Sequence, residues 1–334
     1  QARFGLTQEF PREAKRQLRG QLLEREADRL SAEQHLAQRT IRRDAALAWI
    51  ELWRYDQTLQ LSRASLREAQ TQMQAVEIAL KTGTATQADY LSARQDVNRL
   101  QDAVRAAEQS IGHARNGLSR WIGEAAFRPI CPDLPPTPVL PNLDAVLDRV
   151  GRHPHLAGAQ AEVAAAETGA ALAKAAYKPD WRVELAYAER QRFSDEVTLQ
   201  VGIDLPLFTR SRQDQGLAAA LAKRDAAQLA VEDHRRELLA EARLNYTDYS
   251  VLIERLQDYD RTLLPQSDAR IEASLAGWRA GRAQFRDVLD ARRAALEIRM
   301  ARLDLQTDLA KHTTNLTYLG AFEPVSGTGE TAHE

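Results

Sequence analysis

Two aspartates are the residues of this sequence best suited to binding a cation. Asp287 and Asp290 are three positions apart at the start of a predicted helix, one turn after Gly281. Carboxylate oxygens bind hard and borderline cations. Negative charge also stabilises the first turn of a helix, because the unpaired N–H groups there carry partial positive charge. The two aspartates are therefore predicted either to face a cation or only to stabilise their own helix.

Two histidines, His153 and His155, are close enough in the sequence to suggest a metal site. The intervening Pro154 favours an extended backbone in which the two rings point apart, so we predict no metal site there. The other histidines, which share no ligand spacing, are at positions 35, 113, 234, 312 and 333. The single cysteine, Cys131, excludes a disulfide or a cysteine-based metal site within one chain.

Other kinds of chemistry have no support in the sequence. It contains no nucleophile–base arrangement, phosphate-binding loop or cofactor motif, so we predict neither an enzyme nor a cofactor. The 45 basic and 47 acidic residues nearly cancel, which argues against binding to nucleic acid. No stretch approaches the roughly 20 apolar residues of a membrane-spanning helix. The composition is instead that of long helices and coiled coils.

The segment around Asp287 occurs twice, because the chain contains an internal repeat. Gly83 corresponds to Gly281, and the same shift of 198 positions pairs Asp89 with Asp287. Each glycine is predicted to adopt a positive φ angle and to end one long helix just before a second one begins. The chain is therefore predicted to contain two copies of a helix–turn–helix tip.

The helices on either side of the first tip carry a seven-residue apolar period. The period comprises Leu52, Leu59, Leu66, Met73 and Leu80 before the tip, and Tyr90, Val97, Val104, Ile111 and Leu118 after it. Such a period is typical of coiled coils, so we predict an antiparallel coiled-coil hairpin. A second hairpin is predicted from about residue 210 to residue 319, with an interruption at Pro265.

Prolines separate the two repeats. Six prolines between Gly123 and Asn142 exclude a long helix there and predict a linker. We therefore predict a first repeat at 1–123, the linker at 124–142, a second repeat at 143–320 and a disordered tail at 321–334.

A β-hairpin is predicted within the second repeat, and a single strand at the start of the first. The apolar residues that alternate with polar ones in the hairpin are Trp181, Val183, Leu185, Tyr187, Val197, Leu199, Val201 and Ile203. Strands of nine or ten residues with one apolar face suit a tilted strand across a bilayer. A half-buried hairpin of a soluble protein is the alternative. One hairpin cannot close a barrel, so a membrane barrel would need several chains.

In order and spacing, these segments resemble the TolC-type outer membrane efflux protein family. The matching pieces are DYLSAR at 89–94, GIDLPLF at 202–208, LLPQ at 263–266, WRAGR at 278–282 and DVLDA at 287–291. Each piece is a weak signal alone, but together they extend over nearly the whole chain, from residue 4 to residue 320. Among the subgroups of the family, the sequence is most similar to the channels of heavy-metal efflux systems of the CzcC and CusC type.

The resemblance implies a mainly α fold with a small membrane β part. Tandem long coiled-coil hairpins would form a trimeric α-barrel tunnel, and each subunit of the homotrimer would give four strands to a 12-stranded outer membrane β-barrel. The implied location is the bacterial outer membrane, with contact to its lipid and with a large periplasmic portion. Only three strands can be recognised in the sequence, so we expect that a leading strand and helix of the first repeat are missing before Gln1.

The implied function is the exit duct of a tripartite efflux system, most simply one that exports heavy-metal cations. The implied partners are a periplasmic adaptor (membrane fusion) protein and an inner membrane RND pump. A channel for drugs or for type I protein secretion shares this fold and stays open as an alternative. A soluble coiled-coil scaffold or adaptor is a third possibility, although it has no use for the alternating hairpin.

The resemblance also assigns residues to sites at the two tips. Asp287 and Asp290 would form an acidic ring at the tunnel mouth, where rings of carboxylates select cations. The residues expected to dock the adaptor are Gly83, Thr84, Asp89, Leu91, Gly281, Arg282 and Leu289. Asp89 is predicted rather to cap its own helix or to meet a neighbouring subunit.

Overall fold

The computed structural model describes residues 2–189, 194 and 196–322. Two compact units are formed by the chain. One contains Gln1–Ala37 and Gly151–Leu239, and the other contains Gln38–Val150 and Ala240–Glu334. Each unit therefore draws segments from both predicted repeats.

The first unit contains a three-stranded antiparallel sheet in the order β1-β2-β3. Its strands are β1 (Ala2–Phe10), β2 (Asp180–Glu189) and β3 (Glu196–Asp204). The predicted strand and hairpin are thus confirmed. The pairing of β1 with β2, across more than 160 residues of sequence, could not be predicted from alternation alone.

Long helices make up most of the rest of the described chain. They are α1 (Glu13–Lys81), α2 (Gln87–Ile122), α3 (Leu143–Val150), α4 (Pro154–Ala175), α5 (Gln213–Asp258), α6 (Leu264–Arg279) and α7 (Phe285–Tyr318). None of these helices is both long and apolar enough to cross a membrane. The two predicted helical hairpins are confirmed as α1–α2 and as α5–α6–α7.

The interruption predicted at Pro265 is a widening of the helix. A π-helical turn, Tyr259–Leu263, joins α5 to α6, and the flanking residues Asp258 and Leu264 keep helical backbone angles. Proline lacks an N–H group and its ring crowds the preceding turn, and the wider π turn lies at that place in the chain. The helix therefore continues through this position.

The segment containing the predicted histidine pair differs from our expectation. Pro154 is the first residue of α4, where its fixed φ angle suits a helix start. His153 caps the helix, because its Nδ1 atom accepts a hydrogen bond from the backbone N–H of His155 at 3.3 Å. The predicted extended conformation therefore holds at His153 but is wrong for Pro154 and His155, which are helical.

The core of the second unit follows the predicted apolar period. Leu52 and Leu118, from the two arms of the first hairpin, are both buried and pack together with Ala126. Ala126 belongs to a 3-10 turn, Gly123–Phe127, that extends α2 into the predicted linker. Burial of these side chains joins the two arms, as expected for a coiled-coil hairpin.

The proline-rich linker is attached to the helices by two aromatic side chains. The indole Nε1 of Trp53 donates a hydrogen bond to the carbonyl of Pro132 at 2.8 Å. The hydroxyl of Tyr249, which is buried, donates to the carbonyl of Pro138. These bonds satisfy backbone carbonyls that no helix or sheet uses.

The first residue of the predicted tail belongs to the folded chain. Ala321 is fully buried and its carbonyl accepts a hydrogen bond from Arg149, so residue 321 is still part of the folded chain. The remaining tail residues, 323–334, lie outside the described residues.

Candidate functional site

The first candidate site is the tip between α1 and α2. Gly83 has a φ angle of 76°. Its N–H group donates to the carbonyl of Leu80 at 3.1 Å, and the N–H of Thr84 donates to the carbonyl of Ala79 at 2.9 Å. This pair of bonds is the Schellman motif, which ends a helix at a residue in the left-handed conformation.

The second tip, between α6 and α7, has the same backbone hydrogen bonds. Gly281 has a φ angle of 68°. Its N–H group donates to the carbonyl of Trp278, and the N–H of Arg282 donates to the carbonyl of Gly277, both at 2.9 Å. Every donor and acceptor is shifted by 198 positions from its counterpart in the first tip. The sequence repeat is therefore preserved at the level of single hydrogen bonds, and the predicted positive φ angles are confirmed.

The helices that leave the two tips also begin in a similar way. At α2, the N–H of Asp89 donates to Thr86 Oγ1 at 3.1 Å, and the N–H of Thr86 donates to an Asp89 carboxylate oxygen at 2.9 Å. At α7, the carboxylate of Asp287 likewise accepts the N–H of Gln284, whereas the N–H of Asp287 donates to the backbone carbonyl of Gln284 at 3.1 Å. Such reciprocal bonds satisfy the free N–H groups of a first helical turn. The prediction that Asp89 caps its helix is confirmed.

The aspartates of the second tip both have partners within the chain. The carboxylate of Asp287 accepts the Gln284 N–H at 3.1 Å, yet its side chain remains exposed to solvent. Asp290 lies 3.6 Å from Arg286 and 3.8 Å from Arg293. A ring of these carboxylates requires further copies of the chain, so the acidic ring stays a prediction.

The residues expected to dock a partner differ in their exposure. Gly83, Thr84, Gly281 and Arg282 are exposed, Asp89 is half-buried, and Leu91 is 52% exposed. Leu289 requires a correction, because it is only 5% exposed and packs with the buried residues Val76, Ala93, Phe285 and Val288. It can therefore shape the tip from inside, but it offers no side chain to a partner.

An exposed apolar residue near the first tip was missed in the sequence. Ile78, one turn before the end of α1, is exposed, as Leu91 is. The heptad pattern could have indicated that Ile78 is exposed, because Ile78 lies outside the positions, such as Met73 and Leu80, that face the partner helix. The exposed apolar side chains at this tip are thus Ile78 and Leu91, while the equivalent of Leu91 in the second tip is the buried Leu289.

The second candidate site is the apolar face of the sheet. Direct pairing across the strands places Leu6, Leu185 and Leu199 side by side, and Phe10, Trp181 and Ile203 likewise. All eight apolar hairpin residues predicted from alternation lie on this face. The face is open to solvent in the single chain, with Leu6 74% and Leu199 69% exposed. A continuous apolar surface of this kind is typical of a protein or membrane contact.

The opposite face of the same sheet is polar. Glu9 pairs with Arg182, and Thr7 pairs with Glu184, which in turn pairs with Gln200. The sheet is therefore amphipathic across all three strands. Such a sheet suits a membrane strand with one face toward lipid, and it equally suits a sheet whose apolar face another protein surface covers.

Two histidines that the sequence did not connect come together in the first unit. The rings of His155 on α4 and His234 on α5 have centroids 4.2 Å apart. Burial, and then the neighbouring His234, lower the pKa of His155 from its ordinary value. A lowered pKa means that the charged ring is less stable in the folded chain than in the unfolded one. Protonation therefore lowers the stability of the fold as the pH falls below about 6.5, the ordinary pKa of histidine. Among the described residues, no group of three or more His, Cys, Asp or Glu side chains could hold a metal ion.

Duplicated helical hairpins, matching tips and an amphipathic sheet together define a class of repeat proteins with long helices and a small antiparallel sheet. Residues 149–320, about half of the chain, match the family model of the outer membrane efflux protein (OEP). The chain belongs to this family. It is a family of efflux proteins and not of enzymes.

Individual relatives agree with this assignment. The cobalt-zinc-cadmium resistance protein CzcC of Cupriavidus metallidurans is 24% identical over 229 residues, which are 68% of this chain and 54% of that protein. The chain thus spans about half the length of this curated relative.

Solved structures share the fold. CusC superposes with a TM-score of 0.85 at 17% identity, over 96% of this chain and 77% of that one. VceC of Vibrio cholerae superposes with a TM-score of 0.83 at 20% identity, over 96% of this chain and 79% of that one. The predicted fold class, mainly α with a small β part, is confirmed by these similarities.

Proposed function

We propose that this chain forms part of the outer membrane exit duct of a tripartite efflux system that exports heavy-metal cations. In this proposal three copies assemble into one channel. The strands lie in the outer membrane, and the helices line a tunnel through the periplasm. The observation that carries the proposal is the exposed apolar face of a sheet in a chain otherwise made of coiled-coil hairpins.

The sheet supports both the membrane location and the assembly. Its strands are nine or ten residues long, which suits a tilted crossing of a bilayer. Within the described residues, the outer edges of β1 and β3 have no strand beside them. Open edges are not stable in lipid, because their backbone groups would lack hydrogen bonds. Closure into a 12-stranded barrel by three copies, each giving the three described strands and a fourth that the family resemblance implies, removes those edges.

The two tips support a periplasmic docking site. The backbone turns of both tips are exposed and end in the same hydrogen bonds, so a partner can contact both turns. Exposed Ile78 and Leu91 add apolar surface at the first tip. We assign this surface to the periplasmic adaptor protein, which would join the duct to an inner membrane RND pump.

The substrate is inferred from the relative and from the charge at the second tip. CzcC is named for resistance to cobalt, zinc and cadmium. The carboxylates of Asp287 and Asp290 would present negative charge to a passing cation without distinguishing one metal from another. A duct for drugs or secreted proteins has no comparable support from these residues. A soluble scaffold does not account for the apolar face of the sheet.

Deleting the gene tests this function. We expect the deletion strain to tolerate several-fold less cobalt, zinc or cadmium than its parent, and complementation by the full-length protein to restore tolerance. Growth with a panel of organic drugs serves as the control. Loss of drug tolerance with unchanged metal tolerance would assign the duct to organic substrates instead.

The acidic ring has its own test in planar bilayers. In Asp287→Ala/Asp290→Ala channels we expect a lower preference for cations and a weaker block by divalent cations added on the periplasmic side. The matched control is Asp89→Ala, which removes the equivalent capping carboxylate from the first tip. Equal block in the parent and in the double variant would mean that these aspartates serve only their helix.

A further inference from the structure

A cleft of about 840 Å³ lies where the sheet meets the helices of the first unit. The first turns of α1, the end of α4 and the segment that joins β3 to α5 form its walls. All three described strands either begin or end at this edge of the sheet. In the proposed channel, this edge is the border between the outer membrane and the periplasm.

The cleft has an excess of basic side chains. Lys15 is buried and binds Asp180 at 2.6 Å, so these two opposite charges compensate each other. The remaining basic side chains in the wall, Arg19, Lys178 and Arg212, are exposed, and they outnumber the remaining acidic one, Asp204. The cleft is therefore suited to an anionic group.

A buried amide in the cleft wall also needs a partner. Gln213 is only 8% exposed, and its Oε1 atom has no hydrogen-bond partner among the described residues. A buried polar atom without a partner carries a free-energy cost. Because that atom is itself closed to solvent, the Gln213 side chain must turn toward the cleft before a hydroxyl group on a bound molecule can satisfy this acceptor.

Apolar side chains border the cleft on the side of the sheet. Ile203, which belongs to the apolar face, lines the cleft together with Leu205 and Leu207. Phe208 follows and is 90% exposed, with a φ angle of 57° that side chains adopt rarely. Exposed apolar side chains next to basic ones are typical of a membrane–water interface.

We propose that this cleft binds the headgroup of an anionic glycerophospholipid, such as phosphatidylglycerol. Arg19 and Arg212 bind the phosphate, a headgroup hydroxyl reaches Gln213, and the acyl chains lie against the apolar face that ends at Ile203. The site would fix the height of the channel in the periplasmic leaflet. This inference rests on the proposed membrane function.

Native mass spectrometry of the full-length protein, extracted from nanodiscs of phosphatidylglycerol or phosphatidylcholine, tests the site. Each basic residue beside an anionic headgroup contributes about fivefold to binding, so Arg19→Ala/Arg212→Ala should retain phosphatidylglycerol roughly 30-fold more weakly. The matched control is Arg16→Ala/Arg210→Ala, which removes two exposed arginines from the same segments but outside the cleft. This control variant should retain phosphatidylglycerol within about twofold of the parent.

Three results would overturn the headgroup site. The first is equal lipid retention by both double variants. The second is inorganic phosphate that binds with the same dependence on Arg19 and Arg212, which would assign the cleft to a free anion. The third is a second copy of the chain that covers the cleft when no lipid is present. Flotation of the parent with vesicles is measured in parallel, because failure to float contradicts the proposed function itself and not only the site.

Discussion

Replacing both tip glycines by valine, Gly83→Val/Gly281→Val, is expected to abolish efflux while the protein is still made and assembled. Both glycines have positive φ angles, which cost a residue with a side chain about 1–2 kcal/mol and a β-branched residue more. Beyond the glycine and its neighbours along the chain, no described atom lies within 4 Å of a Cβ built at either position, so the effect comes from the backbone conformation and not from a clash. Metal tolerance of the complemented deletion strain measures the loss.

Two controls separate the tip from general instability. Gly83→Asn/Gly281→Asn should retain most of the activity, since asparagine tolerates the left-handed conformation. Gly117→Val places the same side chain in open space at a glycine inside α2, where it should change efflux little. Assembly is followed by cross-linking in membranes. Normal metal tolerance in the valine double variant, at normal protein levels, would show that the tips do not dock a partner.

Placing a charge on the apolar face of the sheet should prevent insertion into the outer membrane. Leu199 lies in the row formed by Leu6, Leu185 and Leu199, near the middle of the sheet. An arginine on the lipid face near the bilayer midplane costs about 2–4 kcal/mol. In Leu199→Arg we therefore expect the protein to be lost from the outer membrane fraction, with a corresponding loss of metal tolerance.

The neighbouring residue supplies the matched control. Gln200 is on the polar face of the same strand, so Gln200→Arg adds the same charge one position along but away from lipid. The Gln200→Arg protein should insert into the outer membrane normally, and any effect should be limited to the conductance of the channel. If both variants insert equally well, the apolar face does not contact lipid, and the sheet would instead belong to an interface with another protein.

The sequence by itself determined the elements and their ends. Proline and glycine define where α1 can begin and stop, because Pro11 cannot continue β1 as a paired strand residue and Gly83 adopts a positive φ angle. Alternation over residues 181–187 and 197–203 predicted both strands of the hairpin and the face that carries the apolar side chains. These features depend on neighbours within a few residues, so a periodic pattern is enough to reveal them.

Only the tertiary structure decided which distant residues meet. Leu91 and Leu289 are equivalent in the repeat, yet one is exposed and the other buried, because Phe285 and Val76 pack around Leu289. The pairing of β1 with β2, the contact of His155 with His234 and the cleft beside Gln213 join segments far apart in the chain. Periodicity describes the faces of one element but not the partner that covers each face, and packing between elements supplies that information.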